Sequence, residues 1–402
     1  MALLSVTDAL ERVLAHAAPL PAEEAPLAEA DGRVLAYALK ARRTQPPDDV
    51  SAMDGYAVRA DDVANVPARL KIIGEVAAGR PFARAVGRGE AARIFTGGVV
   101  PDGADTVVIQ EFTKRESDWV EVQRPTTKGR HIRAQALDFT AGDTLLPAGH
   151  RLTARDLALT AAMNHPLVPV HRRPKVAMFA TGDELVPPGV EPGPGQIVSS
   201  NTFALAALAR AEGAEAADFG IVADRLDDTV AAIRRARECG ADILVTSGGA
   251  SVGEYDLVLK AFAAEGMELS FWKLALRPGR PLMHGRLGAM QVLGVPGNPV
   301  SAFICTFLFL VPLIRRLAGR SDLTMPTESA LLGCDLPQND ERADYLRATL
   351  TKTPKGLLAT PFPVQDSSMV APLAKADCLL IREPYEPAAK AGSRCMIVKF
   401  QR

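Results

Sequence analysis

Paired cysteines and clustered histidines are missing from this sequence of 402 residues. Its five cysteines lie far apart and form no CxxC motif, which argues against a disulfide framework and against a cysteine-ligated zinc site. Its six histidines show neither HxH nor HxxxH spacing, so we do not expect a histidine-ligated metal. A reducing, cytoplasmic compartment fits this composition best.

Excess charge of one sign and a long apolar run are also lacking. Lys and Arg number 46 against 47 Asp and Glu, so no overall field draws the protein toward nucleic acid or an anionic membrane, and any anion must be bound locally. The most apolar stretch, Val300 to Ile314, contains Pro312 and is shorter than the roughly 20 residues that span a bilayer. We predict a buried helix there, and an amphipathic helix rather than a signal peptide over Met1 to His16.

Two common catalytic motifs are absent. The sequence has no GxxxxGK[ST], which disfavours ATP hydrolysis of the P-loop type, and no GxSxG, which disfavours a serine hydrolase. The chemistry must therefore be sought in other patterns.

Short apolar runs alternate with helical segments between Lys175 and Gly319, which predicts an α/β fold with a central, doubly wound, mostly parallel sheet. The strands are predicted at Lys175 to Ala180, Glu215 to Phe219, Asp242 to Thr246, Leu269 to Ala275 and Met290 to Leu293. The flanks are rich in Gly, Pro and alternating residues, which favours β-rich accessory domains. We divide the chain into an N-terminal helical and linking region (1–43 and 147–174), a β-rich insertion (44–146), the α/β domain (175–324) and a small β domain (325–402).

Two polar segments follow predicted strands of the α/β domain, where open sheets of this class bind ligands. Asp183 and Glu184 come directly after the first strand and could face a ligand or a hydrated metal, although a solvated turn is an equal alternative. A glycine-rich segment, TSGGASVG at 246–253, follows another strand. Its backbone N–H groups, with hydroxyls from two serines, could cradle a phosphate, and a tight structural turn is the alternative. The residues concerned are Ser247, Gly248, Gly249 and Ser251.

Two further segments carry features that suit an anion. Lys273, Arg277 and Arg280 surround another strand end and could hold a phosphate or oxyanion. The turn PGNPVS at 296–301 precedes the apolar helix, whose N-terminal N–H groups are expected to be open to an anion. A purely structural role, in which the prolines fix the turn and the helix start, is nearly as good an explanation. The candidate binding residues of this turn are Pro296, Gly297, Asn298 and Ser301. Outside the α/β domain, Asp54 is a single acid among small residues on a polar loop.

These segments together resemble the MoeA family of molybdopterin molybdenumtransferases. The similarity runs in one order along nearly the whole chain and is carried by six motifs. They are SAMDGYAVRADD (51–62), RIFTGGVVPDGADTVV (93–108), ATGDEL (180–185), TSGGASVGEYD (246–256), FWKLALRPGRP (271–281) and GVPGNPVSAF (294–303).

The resemblance implies an elongated, multidomain subunit in a homodimer. It implies an enzyme that binds adenylylated molybdopterin and releases AMP as molybdate is inserted, with Mg²⁺ as the expected activator. The sequence does not distinguish molybdate from tungstate. A molybdopterin adenylyltransferase and molybdoenzyme-maturation proteins are the implied partners.

The family's functional positions fall on residues of this chain. Asp54, Glu184, Asp224 and Asp256 match its acidic positions and are assigned to catalysis, with Glu184 and Asp256 as metal ligands and Asp183 in support. Thr96, like Asp54, matches a loop expected to reach the cleft, from either subunit. Lys273 matches the lysine of FWK, and Arg347 and Ser367 match positions associated with molybdate.

The sequence departs from the family pattern at several positions. Arg277 and Arg280 replace lysines, Ser199 stands where an acid is common, and Ala371-Pro372 replaces serines. Two other functions are alternatives. A molybdopterin adenylyltransferase shares the α/β domain and a similar SGG loop, but its usual form lacks the flanking domains, so the SAMDGYA segment and the long N-terminal region favour metal insertion. The other alternative is a pterin-binding scaffold that has lost catalysis. The retained acids favour catalysis.

Overall fold

A six-stranded mixed sheet forms the centre of the structure. The computed structural model describes residues 3–248 and 257–400. The strands of this sheet are β1 (Lys175–Thr181), β2 (Glu215–Val222), β3 (Ile243–Ser247), β4 (Glu268–Phe271), β5 (Met283–Leu287) and β6 (Met290–Val295), in the spatial order β2-β1-β3-β6-β5-β4. The first four in that order are parallel, and β5 and β4 continue the sheet antiparallel.

Helices cover both faces of this sheet, which is why its central strands are almost entirely apolar. They are α1 (Asn201–Ala211), α2 (Leu226–Glu238), α3 (Leu257–Ala264) and a long helix from Pro299 to Leu317, which contains one π-helical turn at Thr306–Leu310. The odd and even residues of β3 enter two different core clusters, one on each face. The predicted α/β fold class is therefore confirmed.

The long helix Pro299–Leu317 is apolar enough to cross a membrane by composition alone, but 83% of its most apolar window is buried inside the structure. It packs in one core cluster with the N-terminal helix Val6–Ala15, whose Ala9 and Val13 are fully buried. The prediction of a buried core helix is therefore confirmed. A helix that is apolar on all sides is stable when other parts of the protein cover it, as they do here.

Two details of the strand prediction are wrong. The strand expected over Leu269 to Ala275 ends at Phe271, and Leu276–Arg277 instead pairs with Ala343–Asp344 of the C-terminal region. The antiparallel strand β5 was not expected, because its residues around His284 do not form an apolar run.

The flanking regions are rich in β-structure, as expected. Residues 44–146 contain a second six-stranded sheet, with strands Gly55–Val58, Ala68–Val76, Glu90–Ile94, Thr106–Ile109, Thr113–Glu116 and Trp119–Val122. In the C-terminal region five strands pair in a closed ring, namely Thr327–Leu332, Ala343–Thr353, Gly356–Pro361, Cys378–Arg382 and Arg394–Lys399. The remaining elements include the helices Ala154–Ala162 and Val370–Lys375 and the strand pair Ala22–Pro26 with Leu167–His171.

Candidate active site

A cleft of about 890 Å³ opens at the carboxyl ends of β1, β3 and β6. These three neighbouring strands are parallel, so the segments that follow them lie side by side at one edge of the sheet. Thr181, Ser247 and Pro296, each at or just beyond a strand end, all line the cleft. Three of the predicted segments of the α/β domain, those after β1, β3 and β6, are thus brought together by the strand order.

Gly248 allows two of these segments to approach closely. Its φ of +93° is one that side chains rarely adopt, and a Cβ at this position would lie 2.3 Å from the carbonyl oxygen of Thr181. Glycine is therefore required here both by backbone conformation and by space. The other wall is less restricted, since a Cβ on Gly297 would make an ordinary 3.6 Å contact with Gly248 Cα.

Acidic side chains form one side of the cleft. Glu184 and Asp224 both line it, and the hydroxyl of Thr181 donates a hydrogen bond to the Asp224 carboxylate. The exposed Asp183 lies just behind them, where its carboxylate accepts the backbone N–H of Asp224 at 3.3 Å. The structure therefore places three predicted acids around one corner.

This acidic corner suits Mg²⁺ better than a metal that requires a full set of protein ligands. The described residues contain no group of three His, Cys, Asp or Glu side chains arranged to hold a metal ion. Mg²⁺ is commonly held by one or two carboxylates together with water and substrate phosphates. Glu184 and Asp224 fit that donor set.

Asn201 lines the cleft but lies outside the segments in which binding residues were predicted, because an asparagine before a helical segment indicates a helix cap. The helix α1 in fact begins at Asn201, with Ser200 before it. The Asn201 amide nitrogen donates to Ser247 Oγ and to the Gly297 carbonyl oxygen, both at 2.7 Å. The segment leading to it also lines the cleft, at Ile197, Val198, Ser199 and Ser200.

The N-terminus of the long helix is more closed than expected. Its first residue, Pro299, has no N–H, and the N–H of Val300 donates to the Ser367 carbonyl oxygen at 3.0 Å. Asn298 lines the cleft, while its side chain donates to Ser367 Oγ at 2.9 Å. Ser301 is 4% exposed and is not among the residues that line the cleft, so its role in substrate binding stays a prediction from the sequence.

The three predicted cations occupy different environments. Arg280 lines the cleft. Among the described residues that line it, Arg280 is the only Lys or Arg. Arg277 does not line it, because its guanidinium is bound to acids of the C-terminal region, which raise its pKa. Lys273 is exposed, and its ammonium lies 5.5 Å from the centre of the Trp272 ring. Arg277 pairs with Asp344 and Asp340 and also donates to Asn339 Oδ1.

Asp54 and Thr96 meet each other but not the cleft of their own chain. The backbone N–H and the hydroxyl of Thr96 both donate to Asp54 Oδ1 at 2.8 Å, which lowers the pKa of the Asp54 carboxyl. Both lie beside the six-stranded sheet of residues 44–146, and neither is among the residues lining the cleft.

Arg347 also differs from expectation. It is 1% exposed, burial lowers its pKa, and its guanidinium donates to the carbonyl oxygens of Met369 at 2.8 Å and Asp366 at 2.9 Å. It therefore holds the loop of residues 364–369 from behind, and this loop carries Ser367 to the helix N-terminus and Ser368 to the cleft. Three other predicted residues, Gly249, Ser251 and Asp256, lie outside the described part of the chain.

Comparisons with known proteins cover almost the whole chain. Residues 4–164 match the family model of the MoeA N-terminal region (domain I and II), 177–316 match that of a probable molybdopterin binding domain, and 329–400 match the MoeA C-terminal region (domain IV).

Individual relatives agree with these models. A molybdopterin molybdenumtransferase from a Nostoc species is 43% identical over 72% of this chain and 68% of its own, and one from Haemophilus influenzae is 32% identical over 95% of both chains. The crystal structure of a molybdopterin biosynthesis MoeA protein from Pyrococcus horikoshii superposes with a TM-score of 0.86 at 31% identity, covering all of both chains. With similarity along its full length, the chain belongs to the MoeA family of molybdopterin molybdenumtransferases.

Proposed function

We propose that this enzyme inserts molybdenum from molybdate into adenylylated molybdopterin with release of AMP. The observation that carries the proposal is the cleft at the carboxyl ends of β1, β3 and β6. It places two carboxylates, the Arg280 guanidinium, which has no ion pair with the described residues, and the closely packed Gly248 around one space. A relative that is similar over 95% of both chains is named molybdopterin molybdenumtransferase. The five free cysteines agree with a cytoplasmic enzyme.

The cationic and acidic residues of the cleft would have different roles. Arg280 would bind the diphosphate that links the pterin to AMP and offset the negative charge that develops when the phosphoanhydride bond breaks. The carboxylates of Glu184 and Asp224 would hold Mg²⁺, with Asp256 added from the family resemblance. When bound, Mg²⁺ supplies Lewis-acid stabilisation of the same phosphate oxygens. The hydrogen bond from Thr181 fixes the orientation of Asp224 at this corner.

A homodimer with shared clefts is part of the proposal, because Asp54 and Thr96 do not reach the cleft of their own chain. If they reach the partner's cleft, subunits carrying Asp54→Asn and subunits carrying Glu184→Gln should complement each other after subunit exchange. Half of the randomly mixed dimers would be heterodimers with one intact cleft of two, so about a quarter of wild-type activity should return. Failure of exchanged dimers to regain activity would exclude sharing.

The decisive assay is release of AMP from adenylylated molybdopterin by the purified enzyme with Mg²⁺, in the presence and absence of molybdate. Release that requires molybdate supports the proposal, and the same assay with tungstate defines the oxyanion. Tight binding without release would indicate a scaffold instead. Consumption of ATP with free molybdopterin would indicate an adenylyltransferase.

A further inference from the structure

The side-chain amide of Asn201 connects three chain segments at the cleft. Asn201 is the first residue of α1, yet both of its strong hydrogen bonds leave that helix. One goes to Ser247 Oγ at the end of β3 and the other to the Gly297 carbonyl oxygen in the turn after β6, each at 2.7 Å. A side-chain amide nitrogen has two hydrogens, so both are used in joining the two segments.

The hydroxyl of Ser247 forms hydrogen bonds within the protein. Ser247 Oγ accepts from Asn201 and lies 3.4 Å from the Pro296 carbonyl oxygen, to which it donates. Ser247 is 2% exposed. Its hydroxyl proton is therefore directed at the protein, so the Ser247 hydroxyl has no hydrogen left to donate to an anion.

The turn that Asn201 holds also reaches the C-terminal region. Asn298, next to Gly297, donates to Ser367 Oγ at 2.9 Å, and Ser367 in turn accepts the N–H of Val300 through its carbonyl oxygen. The position of residues 296–298 therefore sets two walls of the cleft, one from the central sheet and one from the loop of residues 364–369.

We propose that Asn201 is a positioning residue. It fixes the distance between Ser247 and Gly248, at the end of β3, and the turn of residues 296–298, so that the diphosphate of the substrate binds between them. This inference rests on the proposed function for the identity of the ligand. Asn201 acts through its neighbours, so its loss should weaken binding far more than it slows the chemical step.

Two substitutions separate this role from that of a simple helix start. In Asn201→Ala both donors are lost. In Asn201→Asp a carboxylate oxygen faces the Gly297 carbonyl, which repels it, although an acid in the first turn of a helix is otherwise favourable. Positioning therefore predicts that Asp is the worse substitution, whereas a helix-start role predicts that Asp is the better one.

The test compares KM and kcat for molybdate-dependent AMP release by the full-length enzyme. We expect KM for adenylylated molybdopterin to rise about tenfold in Asn201→Ala and further in Asn201→Asp, with kcat within about threefold of wild type, as the loss of one or two neutral hydrogen bonds allows. Ala207→Ser, on the exposed face of the same helix, is the matched control and should leave both constants unchanged.

A double-mutant cycle with Ser247→Ala adds an independent measurement. Because Asn201 and Ser247 share a hydrogen bond, their effects on KM should combine to less than the product of the single changes. Unchanged KM in Asn201→Ala, or a milder effect of Asp than of Ala, would overturn the inference. A wild-type enzyme that does not release AMP would instead refute the proposed function, which keeps the two failures distinct.

Discussion

Substitution of Gly248 by alanine should damage both the stability of the central sheet and the cleft. The new methyl group would lie 2.3 Å from the Thr181 carbonyl oxygen, about 1 Å inside the usual contact distance of roughly 3.3 Å. The turn after β3 would have to move away from the end of β1, and overpacking of this kind costs about 1–3 kcal/mol. The φ of +93° adds about 1–2 kcal/mol for a residue with a Cβ.

Gly240→Ala provides the matched control for this substitution. Gly240 has a φ of +68° at the end of α2, and a Cβ there would meet nothing within 4 Å, so it isolates the backbone cost. Urea denaturation should show Gly248→Ala less stable than Gly240→Ala by about 1–3 kcal/mol. AMP release at a saturating Mg²⁺ concentration should fall at least a hundredfold in Gly248→Ala alone. Equal stability of the two variants, with retained activity, would refute the close approach of β1 and β3 as the basis of the cleft.

Three further predictions concern charged and titratable side chains. Glu184→Gln should lower kcat for AMP release at least a hundredfold with an unchanged melting temperature, and wild-type turnover would remove Glu184 from the site. Arg277→Gln should lower the melting temperature, because it removes the ion pairs of Arg277 with the C-terminal region. Arg280→Gln should weaken substrate binding without changing the melting temperature. The reverse pattern would contradict the placement of the two arginines. Burial lowers the pKa of His284 from 6.5 to about 4, so stability that is present above pH 6.5 should be lost as the pH falls toward 4, by about 3 kcal/mol in urea denaturation. His284→Gln should remove that pH dependence, and a persisting dependence would assign it to another group.

Local pattern was sufficient for most elements of the α/β domain. The apolar strands β1, β3 and β6 and the helices between them carry signals within a few residues of one another, and the long apolar helix from Pro299 is also visible as a single run. The strand β5 and the early end of β4 were not predicted from the sequence, since both depend on pairing between strands rather than on local periodicity.

Side-chain assignments at the site were less predictable. Arg277 and Arg280 are three residues apart in the same motif, and only the structure shows that one binds acids of the C-terminal region while the other faces the cleft. Arg347 was linked to molybdate only through the family resemblance, and tertiary packing buries it against backbone carbonyls. For Asn201 the sequence indicated only a helix cap, whereas in the structure its side chain joins the end of β3 to the turn after β6.

By itself the sequence determined the family, the α/β class and the segments that can carry chemistry, because glycine turns, apolar strands and acidic motifs depend on near neighbours along the chain. Tertiary structure alone decided which of those side chains share a cleft. Parallel strand order brings residues from 181, 247 and 296 to one edge, and the C-terminal region closes the helix N-terminus that the sequence left open. Contacts between segments so far apart are set by packing of the whole chain, which no local pattern encodes.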